Sequence, residues 1–304
     1  MTDAAGTWRV AMFLLMAAEL PDLSTVPKDL QTPPMMQAEP GPGKRVKQVA
    51  PEYRGTEVYH ALYLPTDWSP GAHWPVIVEY AGNGGYRNQY GDVCTGRLED
   101  SNLGYGISGG KGFIWICMPY VSADRRRNEL RWWGDVRATA DYCKQTVRRV
   151  CHDYGGDPSA VVLTGFSRGA IACNYIGLHD DDIAGIWLAF IAHSNYDGVM
   201  TWDYPESDRA SARRRLARLK GRPVFISQEV TVENIRRYLT ETGVEGCFTY
   251  QVLPYRNHRD DWVLRDIPER KRLREWLAGV LRNRTTSNTA RQAQLGDFSA
   301  RTRP

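Results

Sequence analysis

The sequence predicts an α/β fold, in which one domain is built on a mostly parallel central sheet with helices on both faces. Three observations lead there. Short apolar runs alternate with helix-like segments along most of the chain. Several of these runs are continuously apolar, as suits strands buried on both faces. One strand–turn–helix junction carries a Gly-x-Ser-x-Gly sequence, Gly165-Phe166-Ser167-Arg168-Gly169.

Composition sets the class. The 304 residues are 42% hydrophobic, 24% charged and 11% aromatic, which excludes a disordered or collagen-like chain. A chain of this length buries a sizeable core without disulfide or metal staples. The net charge is only +4, with no long Lys/Arg run, so nucleic acid is not an expected partner. The six cysteines form no C-x-x-C pair, which excludes zinc-finger and thioredoxin motifs. His60, His73, His152 and His179 are scattered and lack ligand spacing, so neither metal nor cofactor is expected.

Residues 1–50 read as an N-terminal arm. Val10–Ala18 (VAMFLLMAA) is too short to span a bilayer. It has the length of a secretory signal core, with Ala17-Ala18 ending a cleavage site. The alternative is a short helix packed on a cytoplasmic domain. Prolines at 21, 27, 33, 34, 40 and 42 make the rest of the arm irregular. The domain itself covers 51–282, and 283–304 lacks apolar periodicity and reads as a disordered tail.

Within the domain, Glu57–Leu64 alternates and suits a half-buried strand. Trp74–Tyr80 and Gly112–Tyr120 read as central strands. Gly91–Gly112 between them reads as a long glycine-rich loop. It contains a G-x-G-x-x-G at Gly104–Gly109, which precedes a strand instead of opening a helix, so dinucleotide binding is excluded. Trp133–Tyr154 is a long helix. Strand 160–163 and helix 168–178 flank the Gly-x-Ser-x-Gly turn. Strand 186–191, helix 209–219, strand 223–227, helix 232–242, strand 248–254 and helix 268–281 complete the alternation.

The turn between 163 and 168 has the setting of a nucleophile elbow, which lifts Ser167 Oγ to the C-terminal edge of the sheet. With this motif in this context, residues 50–282 resemble an α/β-hydrolase. The resemblance implies the chain order Ser, acid, His. The base is then His258, alone of its kind in the loop after the last strand. Its imidazole takes the serine proton and returns it to the leaving group. Glu229, the first carboxylate after strand 223–227, is the acid implied for orienting that imidazole. Asp197 and Glu233 are the alternatives. The oxyanion donors implied are the backbone N–H of Arg168 and one from the loop Ala81–Tyr86, where Asn83 and Gly84 both qualify. The Arg168 side chain is a further candidate for binding substrate or oxyanion, since some esterases of uronic acids carry Arg at this place.

The segment 194–209 lies at the same sheet edge, where insertions form pocket walls. Its Tyr196 and Trp202, with Trp133, offer flat faces for a substrate. The layout resembles serine esterases of the feruloyl-esterase and polyester-depolymerase type. That implies a carboxylic-ester hydrolase acting on small-molecule or polymeric esters, such as acylated polysaccharides. A prolyl-oligopeptidase-type serine peptidase and a non-catalytic binding protein of the same fold are the competing expectations. Nothing in the sequence specifies an oligomeric state.

Overall fold

The structure, a computed structural model, describes residues 20–300, with side chains to 284. The segment Val10–Ala18 therefore lies outside the described residues. Elements follow in chain order: β1 (Arg45–Gln48), β2 (His60–Tyr63), β3 (Trp74–Tyr80), β4 (Tyr86–Arg87), β5 (Val93–Cys94) and α1 (Leu103–Ser108). Then come β6 (Ile114–Met118), α2 (Val136–Tyr154), β7 (Gly156–Phe166), α3 (Arg168–Tyr175), α4 (Asp181–Ala184) and β8 (Ala189–His193). The chain closes with α5 (Arg209–Leu216), β9 (Pro223–Glu229), α6 (Glu233–Thr242), β10 (Cys247–Leu253) and α7 (Pro268–Ala300).

Eight strands form one sheet in the order β1-β2-β6-β3-β7-β8-β9-β10. β1 and β2 are antiparallel to their neighbours, and β6 through β10 run parallel. The parallel strands alternate their side chains between two cores. Val76, Val78, Val161 and Leu163 pack on one face, and Ile77, Trp115 and Val162 on the other. Each such fully buried side chain contributes about 1.5–3 kcal/mol relative to exposure. Burial on both faces explains why these strands are continuously apolar.

Several features depart from the sequence expectation. Arg45–Gln48, placed in the irregular arm, is an edge strand paired with β2. Leu103–Ser108, placed in a glycine-rich loop, is α1. Its glycines serve close packing: a Cβ on Gly104 would lie 2.1 Å from the Trp115 ring, and one on Gly106 2.1 Å from Val263. Tertiary contact here overrides the poor helix propensity of glycine. The strand expected at 186–191 is shifted to β8, Ala189–His193. The last helix continues from Pro268 to Ala300, through most of the expected tail.

α1 starts on a buried acid. Glu79, on β3, accepts the backbone N–H of Leu103 and Gly104 at 3.1 and 2.8 Å. Asn102 before it gives its N–H to Asp260 at 3.0 Å. Burial first, then the neighbouring Asp260, pushes the Glu79 carboxyl up to about 7. A carboxyl raised above its unfolded value is most favourable protonated, so its contribution is lost as pH rises from about 4.5 through 7. The span corresponds to on the order of 3 kcal/mol. Glu79→Gln cannot ionise, so its melting temperature should fall less than that of wild type between pH 5 and 8. Parallel thermal melts across that range would check this, and equal pH slopes would contradict it.

Candidate active site

Ser167 sits between β7 and α3 at φ 54° and ψ −113°, a strained conformation for a non-glycine residue. The elbow demands its glycines. A Cβ on Gly165 would lie 2.1 Å from the Gly169 carbonyl oxygen, and one on Gly169 2.0 Å from that of Tyr80. The Ser167 N–H donates to the His193 carbonyl at 2.8 Å, which ties the turn to the end of β8.

His258 lies in the loop after β10. Its Nε2 is 3.1 Å from Ser167 Oγ and its Nδ1 2.8 Å from Glu229 Oε1. A carboxylate only accepts, so Nδ1 carries the proton and Nε2 is free to accept from the serine. Burial pushes the Glu229 carboxyl up, but the charge and hydrogen bond of His258 outweigh it and bring it down to about 2. Ser194, whose hydroxyl lies beside the carboxylate, and His193 assist. Glu229 ends β9, and the next residue, Val230, takes φ 62°, unusual for a β-branched side chain.

Of the three acids considered from the sequence, only Glu229 meets His258. Asp197 is buried in an ion pair with Arg215 at 2.8 Å. Glu233 lies exposed in the first turn of α6. Glu229 reaches because β9 extends two residues beyond the strand read from the sequence.

The loop that carries His258 has supports that the sequence does not reveal. The His258 N–H donates to Asp92 Oδ2 at 2.9 Å, and Asn257 Nδ2 to Asp92 Oδ1 at 3.0 Å. Asp92 is almost wholly buried although it follows a glycine in an expected loop. Asn257 in turn accepts the Leu23 N–H at 2.6 Å, and Arg256 pairs with Asp22 at 2.9 Å. The proline-rich arm thus braces the loop that carries His258. The rings of Tyr86 and Phe166 each lie 4.8 Å from its imidazole.

The loop after β3 separates the two oxyanion candidates. The Gly84 N–H is engaged by the Leu130 carbonyl at 2.8 Å. The Asn83 N–H has no hydrogen-bond partner among the described residues, and its side-chain Oδ1 accepts the Trp132 N–H at 2.8 Å. Segment 130–132 therefore splints this loop from outside. The Arg168 side chain is buried, donates from Nη1 to the Trp132 carbonyl at 2.6 Å, and stacks 3.9 Å above the Tyr120 ring.

Ser167 and His258 open into a cleft of about 430 Å³ whose wall includes Trp132 and Trp202. Of the three aromatics expected to face a substrate, Trp202 lines the cleft and Trp133 and Tyr196 do not. Trp133 is 4% exposed and stacks on Tyr175 at 4.5 Å, and Tyr196 is 1% exposed in the same core. Trp132 takes the wall position instead, at φ 48°, with its ring 5.3 Å from Trp202. Gly134, which follows the pair, leaves no room for a side chain, since a Cβ there would lie 2.2 Å from the Val121 carbonyl oxygen. Another cleft, beside Lys47, Glu57 and Arg127, contains neither serine nor histidine. Among the described residues no group of acids, histidines and cysteines is arranged to hold a metal ion. No helix among them is long and apolar enough to cross a membrane.

No protein-family profile matches the sequence, and no curated protein matches it either. Similarity appears among solved structures. An esterase from Rhizomucor miehei aligns at 13% identity with TM-score 0.54, covering 91% of this chain and 97% of that one. An acetyl ester-xyloside bifunctional hydrolase from Caldicellulosiruptor lactoaceticus aligns at 15% identity with TM-score 0.53, covering 80% and 98%. The AtxE2 isopeptidase aligns at 13% identity with TM-score 0.52, over 79% of this chain. The chain spans 40% of that isopeptidase, and 35% of a candidate dipeptidyl aminopeptidase IV from Bacteroides ovatus. With the sheet order and elbow above, these likenesses make the fold that of a single α/β-hydrolase domain.

Proposed function

We propose that the protein is a serine carboxylic-ester hydrolase that works through an acyl-enzyme on Ser167. The observation that carries this reading is the run of two hydrogen bonds, Ser167 to His258 to Glu229, at 3.1 and 2.8 Å. A serine hydroxyl is a weak nucleophile until a base in hydrogen-bond reach takes its proton. Ser167 Oγ attacks the ester carbonyl carbon while His258 Nε2 removes its proton. The N–H groups of Arg168 and Asn83 hold the oxyanion, each such donor being worth about 10²–10³ in kcat. His258 then gives the proton to the departing alcohol. A water deprotonated by the same nitrogen attacks the acyl-enzyme and frees the acid. Glu229 keeps the imidazole in the required tautomer and offsets its positive charge.

Trp132 and Trp202 favour an acyl or alcohol group with a flat face, such as an aromatic acid or a sugar ring, on a small molecule or a polymer. Trp202→Ala should raise KM for an aromatic ester by about tenfold, with kcat changed little. Steady-state kinetics on matched aromatic and acetyl esters checks this, and an equal loss on both would remove Trp202 from substrate binding.

The fold is also that of the isopeptidase, so an amide substrate is the second reading. Purified protein should hydrolyse p-nitrophenyl acetate and butyrate and leave peptide p-nitroanilides untouched. The reverse preference would replace the esterase reading by the peptidase one.

A further inference from the structure

His193, a second histidine absent from the relay above, touches all three segments that carry it. Its carbonyl accepts the Ser167 N–H at 2.8 Å. Its Nε2 lies 2.9 Å from the carbonyl oxygen of Arg259, the residue after His258. Its Nδ1 lies 3.0 Å from Ser227 Oγ, two residues before Glu229 on β9. Ser194, next in the chain, donates its N–H to the Ser227 carbonyl at 2.9 Å, and its hydroxyl lies 3.0 Å from His193 Nε2.

The partners dictate the proton. The Arg259 carbonyl can only accept, so His193 Nε2 carries the hydrogen. Nδ1 is then the acceptor for the Ser227 hydroxyl. The ring is fully buried, with Phe166 stacked on it at 5.5 Å and Trp262 edge-on at 5.4 Å. Phe166 packs on His258 as well, so the two imidazoles share one aromatic neighbour. Burial pushes the His193 imidazole pKa down, which keeps it neutral and keeps Nδ1 an acceptor.

We propose that His193 is a positioning residue: its backbone carbonyl holds the turn of Ser167, and its imidazole ties the loop of His258 to the strand of Glu229, which together set the distance between nucleophile, base and acid. The role rests on the esterase reading only for its kinetic consequence. A misplacement of about 1 Å in such a site costs about 10²-fold in rate.

The test uses the full chain. His193→Phe keeps the ring and removes both nitrogens, and His193→Gln restores a donor toward Arg259. For His193→Phe, kcat on p-nitrophenyl butyrate should fall by about 10²-fold with KM within about twofold. His193→Gln should recover most of the loss. The proton NMR resonance of His258 Nδ1–H on Glu229 gives a reading independent of turnover. It should be far downfield in wild type, shifted or broadened in His193→Phe, and restored in His193→Gln. If His193→Phe does not fold, Ser227→Ala, which removes only the Nδ1 partner, should shift the same resonance. Wild-type kcat with an unmoved resonance in His193→Phe, or an unmoved resonance in Ser227→Ala where His193→Phe is unfolded, overturns the proposal. If wild type hydrolyses no ester, the esterase reading fails and the resonance alone decides for His193.

Discussion

Ser167→Ala is expected to lower kcat/KM for p-nitrophenyl esters by at least about 10⁴-fold, with the melting temperature nearly unchanged. The magnitude follows from how such groups act: removing the nucleophile leaves only the contribution of the oxyanion donors and binding. The strain at the elbow belongs to the backbone, at φ 54°, and alanine can occupy the same turn. Among the described residues, the only side-chain hydrogen bond lost is the one to His258 Nε2. Initial rates at equal concentrations of folded wild type and variant check this. Residual activity above about one hundredth of wild type would place the chemistry elsewhere.

Glu229→Gln is expected to lower kcat by about 10⁴-fold, because an amide can present its N–H₂ to His258 and stabilise the wrong tautomer. It also removes the charge that offsets the imidazolium. Asp197→Asn supplies the contrast. It removes the buried carboxylate from Arg215, whose other acid, Glu206, lies farther off at 3.6 Å, so it should destabilise the fold by about 3–5 kcal/mol and leave kcat of the folded fraction near wild type. Denaturant melts and kcat measured on the same preparations separate the two. A kinetic loss for Asp197→Asn without one for Glu229→Gln would exchange their roles.

Much of the fold was legible because its signals are local. The elbow needs Gly165 and Gly169 for close backbone approach, and both stand in the sequence between a strand and a helix. Chain order then led to His258 and Glu229, which the structure brings within hydrogen-bond reach of each other and of Ser167. The rest depends on contacts between distant residues. Gly104 and Gly106 read as loop residues because their packing partners, Trp115 and Val263, are not neighbours in sequence. Trp132 and Trp133 cannot be told apart by composition, and it takes the fold to show Trp133 packed on Tyr120 and Tyr175 in the core while Trp132 lines the cleft. Asp92 and His193 carry no motif. Each is defined by backbone groups that it meets in the loop that carries His258, and those become visible only in three dimensions.

We propose that Ser167 is a serine activated by His258. Intact-mass spectrometry after incubation with a small fluorophosphonate tests it most directly, on wild type and Ser167→Ala side by side. One phosphonyl adduct is expected on wild type and none on the variant. An adduct on both, or none on folded wild type, would contradict it.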